Sequence, residues 1–119
     1  MILNNAIIDV ENLKVLMKII AMNKNQEQIY QKLLTTFFKK HPNPQLQVEV
    51  KRILKRFLSL KISMPGKPGG WVGGIVYATS SIGVGVPGVL NSELEESFGV
   101  SMGTIYKRAA MIRKLLLAT

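Results

Sequence analysis

Between Trp71 and Leu90 the chain runs for twenty residues without a charged side chain. A stretch of that length and polarity belongs either in a bilayer or in the middle of a fold. Gly83, Gly85, Pro87 and Gly88 break its second half, and Thr79, Ser80 and Ser81 dilute its middle, which argues against a membrane span. The reading that remains is a buried central helix from Trp71 to about Ile82, followed by a glycine-rich turn. Small residues such as Gly73, Gly74 and Ala78 would let neighbouring helices approach it closely.

The rest of the chain supplies those neighbours as helices. Asp9, or an asparagine just before it, can cap a first helix with Leu13, Leu16, Met17 and Ile20 on one face. Asn25 and Gln28 look like a capping pair opening a second, with Ile29, Leu33, Leu34, Phe37 and Phe38 at core spacing. Lys39, Lys40 and His41 suit the negative end of its dipole, and Pro42 stops it. Asn43-Pro44 starts a third helix whose buried stripe is Leu46, Val50, Ile53, Leu54 and Phe57. Lys51, Arg52, Lys55 and Arg56 fall on its opposite side, and the loop Met64–Gly70 closes this half of the chain. The expectation is an all-α fold, a bundle of five to six helices in a single domain over residues 1–119, with N-terminal helices in 1–62, a central helix in 71–82 and a helix-turn-helix in 91–117.

Composition narrows the function. There is no cysteine and only one histidine, His41, so neither a disulfide framework nor a thiolate metal site is available, and no cofactor is expected. Sixteen Lys and Arg against seven Asp and Glu give a net charge of +9, a balance that favours polyanions such as nucleic acid or an anionic membrane surface. Met1–Ile8 lacks a basic region followed by an apolar run and a small-residue cleavage site, so no secretory signal is read and a cytoplasmic location is the expectation.

Two patterns suggest catalysis and fail on physical grounds. Gly83-Val84-Gly85-Val86-Pro87-Gly88 spells the dinucleotide-binding fingerprint, which works only between a strand and a helix whose N-terminus faces the pyrophosphate. Here Pro87 sits inside it and alternating strands are missing. Glu93, Glu95 and Glu96 cluster at a helix start, where acids commonly complement the dipole. Without a partner histidine, a serine elbow or a metal, no enzyme is expected.

The more specific pattern is C-terminal. Asn91 or Ser92 caps a short helix, Ser92 with Glu95 matching a capping box, and Leu94 and Phe98 face inward. Gly99 supplies a turn, Val100 plugs the space between two helices and Ser101 caps the next. The final helix puts Ile105, Ala109, Ile112 and Leu116 on its inner face, Gly103, Lys107, Ala110 and Lys114 outward, and Tyr106 and Arg113 on a flank. A short helix, a tight turn and a long basic helix is how a recognition helix is presented to the major groove.

Residues 67–117 resemble one cyclin-box repeat of the transcription factor IIB core. The likeness is carried by Trp71-Val72-Gly73-Gly74-Ile75-Val76-Tyr77-Ala78, Phe98-Gly99-Val100-Ser101, Thr104-Ile105 and Arg108, with Gly73-Gly74 in place of the usual alanines. Gly66-Lys67-Pro68, Trp71, Tyr77-Ala78, Phe98-Gly99-Val100-Ser101, Thr104 and Ile112-Arg113-Lys114-Leu115 are more closely similar to an uncharacterised microbial domain family with no established activity. The first resemblance implies contact with promoter DNA and the transcription machinery. This chain holds one repeat where that core has two, and no cysteines for its zinc ribbon.

The leading expectation is a DNA-binding protein, a transcriptional regulator. Ser101, Gly103 or Thr104, Tyr106 and Lys107 would lie near base edges or adjacent phosphates, and Arg108, Arg113 and Lys114 would contact the backbone. Lys51, Arg52, Lys55 and Arg56 would hold flanking phosphates if the fold brings them alongside. A cyclin-box-type protein-interaction module is the alternative, and the apolar first helix would help a homodimer form.

Overall fold

The computed structural model describes residues 10–80 and 85–117, and these are helical without a strand. The elements are α1 (Val10–Lys40), α2 (Pro44–Ser59), α3 (Pro68–Ser80), α4 (Asn91–Phe98) and α5 (Met102–Ile112), the last running on into a π-helical turn over Arg113–Leu117.

The first part of the uncharged stretch, Trp71 to Ala78, lies at the centre. Every residue of α3 from Gly69 to Ala78 is buried, and α3 packs against α1, α2, α4 and most extensively α5. It begins earlier than the sequence suggests. Pro68, Gly69 and Gly70 belong to its first turn rather than to the preceding loop, because a proline there has no N–H to leave unpaired. Its expected end near Ile82 and the start of the glycine-rich turn fall outside the described residues. The described part of that turn has positive φ at Gly85 and Gly88, with the Val89 N–H donating to the Val86 carbonyl at 3.0 Å.

Side-chain absence sets the spacing around α3. A Cβ at Gly69 would run into the Phe98 carbonyl at the end of α4, and one at Gly74 would lie 2.6 Å from the Arg108 Cβ and 3.1 Å from the Ala109 nitrogen of α5. Backbone therefore meets backbone on this side of the helix. On the other side Ile53, Leu54 and Phe57 of α2 join Trp71 and Ile75 in the core, completed by Tyr30, Leu34 and Phe37 of α1. Burial pushes the Tyr30 phenol above its ordinary pKa.

α2 starts as expected, with the Asn43 Oδ1 accepting the Leu46 N–H at 3.2 Å and Pro44 in the first turn. The first two helices expected from the sequence are instead one. α1 passes through Asn25 and Gln28 unbroken, since nothing between Met22 and Tyr30 is a proline or glycine that would stop propagation. The Asp9 cap lies outside the described residues. From Val10 to Ile29 every described side chain of α1 is exposed, and Tyr30 is the first buried one. The face of Leu13, Leu16, Met17 and Ile20 thus covers nothing among the described residues. At 31 residues α1 is about 46 Å long, so it follows the longest extent of a molecule measuring 57 × 31 × 26 Å.

Candidate nucleic-acid interface

α4, the turn Gly99–Ser101 and α5 are organised by the ends of the two helices. The cap of α4 lies two residues before the expected capping box of Ser92 and Glu95. Leu90 occupies the cap position, and the Glu93 carboxylate accepts its N–H at 2.9 Å. Ser92 lies inside the helix, where it has no capping part. Glu95 does different work, its Oε2 accepting the Met102 N–H at 2.7 Å across the turn. Gly99 ends α4 with φ of 66°, in the left-handed region that glycine enters without strain. Val100 is half-buried against the core, and Ser101 caps α5 as expected, its Oγ accepting the Thr104 N–H at 3.3 Å.

These contacts leave the three α4 acids engaged. Glu93 and Glu95 serve helix N-termini, and Glu96 meets Lys40 of α1 at 3.3 Å. Glu95 and Ser101 between them occupy the Met102 and Thr104 amides, which a phosphate at the start of α5 would otherwise use. Beyond the turn no acidic residue follows Glu96 in the sequence, whereas Lys107, Arg108, Arg113 and Lys114 do.

The inner face of α5 is Met102, Ile105, Ala109 and Ile112, all buried, with Leu116 partly so. Ser101, Gly103, Tyr106, Lys107, Ala110 and Lys114 are exposed, and Thr104 is half-buried. Tyr106 is anchored from two sides. Its hydroxyl accepts a hydrogen bond from the Asn91 Nδ2 at 3.1 Å, and its ring meets that of Tyr77 edge-on at 5.3 Å. Arg113 turns back over Tyr77, its Nη2 donating to the Tyr77 carbonyl at 3.4 Å.

Arg108 has a different position from the one expected of a phosphate contact. Its guanidinium carbon sits 4.2 Å from the Trp71 ring centroid, and its Nη2 donates to the Pro65 carbonyl at 2.9 Å. The Trp71 Nε1–H donates to the same carbonyl, also at 2.9 Å. Arg108 therefore ties α5 and α3 to the loop between α2 and α3. Replacing it with alanine is expected to lower unfolding free energy by about 2 kcal/mol, because a charge-assisted hydrogen bond and a partly desolvated cation–π contact are both lost. Lysine lacks the planar fork and should recover only part of that. Lys107→Ala should stay within about 0.5 kcal/mol of the parent. Urea unfolding of the three variants measures this, and equal stability of Arg108→Ala and Lys107→Ala would remove the bracing role.

The four basic residues of α2 do not act as a set. Arg52 is engaged by Glu49 at 2.7 Å, and the guanidinium beside it holds the Glu49 carboxyl below the ordinary carboxylate range. Lys51 and Lys55 open onto a hollow shared with Glu27 and Gln31 of α1, to which no α5 residue contributes. Arg56 is exposed in the last turn of α2. The candidate surface thus contracts to the outward face of α5. Among the described residues no group of three His, Asp or Glu side chains could hold a metal ion, and no helix is long and apolar enough to cross a membrane. No protein-family model, curated protein or solved structure matches the chain.

Proposed function

We propose that this protein binds duplex DNA through the outward face of α5, as a transcriptional regulator would. The observation that carries the reading is the combination of exposed Lys107 and Lys114 on that face with the absence of any acid after Glu96. Gly103 and Ala110 lie on the same face and keep it low enough for close approach to a groove wall. Lysines meeting phosphates supply affinity without sequence information, and base contacts would supply specificity. Polar side chains able to read bases are few here. Ser101, Thr104 and Tyr106 already hold intramolecular hydrogen bonds, which leaves the backbone near Gly103. Sequence preference is accordingly expected to be modest.

Fluorescence anisotropy with mixed-sequence duplex DNA across a salt series tests the proposal. Log affinity should fall linearly with log salt, and Lys107→Ala/Lys114→Ala should flatten the slope by about 0.9 for each phosphate contact removed. Neither lysine braces the fold, so the loss would report the interface rather than unfolding. Absence of binding at low salt, or a slope unchanged in the double variant, would refute it.

A further inference from the structure

We infer that the N-terminal half of α1 is a self-association stalk, on which a second copy of this chain packs. The inference is independent of DNA binding. Between Val10 and Met22, Leu13, Leu16 and Ile20 form one seam and Val15, Ile19 and Met22 a second, with Val10 and Met17 beside the first. All eight are between 48% and 65% exposed, and none is buried by another described part of the chain. Glu11, Lys14 and Lys18 share one narrow strip, so apolar side chains fill most of the remaining circumference. A helix that is apolar most of the way round is built for burial. A helix of this length with nothing packed on it is also marginal in water.

Area and charge together point to a second copy. At roughly 100 Å² each, the eight side chains present about 800 Å² per chain over the two seams together, as much as each partner contributes to a standard-sized protein interface. That exceeds the contiguous apolar patch of a typical monomer, about 300–600 Å². Residues 10–22 carry two lysines and one glutamate, a net +1, while the chain as a whole carries +9, so the rest carries +8. Two copies of so basic a chain repel one another overall, and this nearly neutral segment is a place where that repulsion is weak. An anionic membrane or an acidic protein would be recruited by a basic face. Here Lys14 is already beside Glu11 at 3.9 Å, which leaves Lys18 alone to attract one. Two seams on one stalk let it touch its partner's stalk on one side and a further neighbour on the other, as helices in bundles do.

Sedimentation equilibrium of the full chain over the micromolar range, with Leu16→Glu/Ile20→Glu in parallel, tests this. Both positions lie outside the core, so circular dichroism should show the helical body of the variant intact. The parent should sediment as a dimer or larger. The variant should associate at least about a hundredfold more weakly, since two carboxylates per chain would have to be buried unpaired. A parent that stays monomeric throughout overturns the inference, and so does a variant that associates as tightly as the parent. Co-sedimentation of a monomeric parent with phosphatidylglycerol vesicles would assign the stalk to a lipid surface instead.

Discussion

Gly69→Ala is expected to cost about 3 kcal/mol of unfolding free energy, although it adds a single methyl group. The added Cβ would occupy the position of the Phe98 carbonyl, which is backbone at the end of α4 and has no rotamer to yield. Either α4 moves away from α3 or the first turn of α3 unwinds, and both open the core where Phe98 and Ile105 meet Gly73. In an open helical site the same change stabilises by up to about 1 kcal/mol, so the sign of the effect alone decides the matter. Trp71 is the single tryptophan and is fully buried, so its fluorescence reports urea unfolding directly. A variant as stable as the parent would mean that α3 and α4 are farther apart than described.

Trp71→Ala should be at least as damaging, at about 3–5 kcal/mol. Its ring packs against Phe57 of α2 with centroids 5.5 Å apart and lies beneath the Arg108 guanidinium of α5. Its removal leaves a cavity where three helices converge and strips Arg108 of its apolar platform. Domains of this size have about 5–15 kcal/mol in total, so a large part of the fold's margin would disappear. Trp71→Phe keeps most of the ring contact and loses the N–H bond to Pro65, a cost of about 1–2 kcal/mol. Circular dichroism follows both variants. Equal losses from phenylalanine and alanine would shift the weight from packing to the hydrogen bond.

What could be read in advance was what depends on local chemistry. The lack of charge from Trp71 onward leads to a central buried helix. Asn43-Pro44 marks a helix start, and the spacing of Ile105, Ala109 and Ile112 gives an inner face that is buried in the fold. The expectations that the fold overturns depend on competition or distance. Asn25 and Gln28 suit a helix start and a helix interior almost equally, and with no breaker between two helical segments continuation wins. Ser92 and Glu95 match a capping box, yet Glu93 two positions earlier performs that task for Leu90, freeing Glu95 to serve Met102. The role of Arg108 depends on a carbonyl 43 residues away, and no local pattern announces it. A tryptophan in the uncharged helix and an arginine beside the apolar face of α5 are the hints the chain offers.

The glycine contacts between α3 and α5 bear on how α5 meets anything outside the molecule. Interfaces lined by long side chains have slack, because rotamers can shift to let a helix roll or slide. Where the Gly74 backbone lies directly under Arg108 and Ala109, that slack is missing, and α5 is fixed to the most deeply buried element of the chain. A duplex docked on such a helix would have to supply the adjustment itself, by bending or by changing groove width. Discrimination would then follow how easily a DNA sequence deforms, with pyrimidine–purine steps favoured over stiff A-tracts, even at base pairs no side chain reaches.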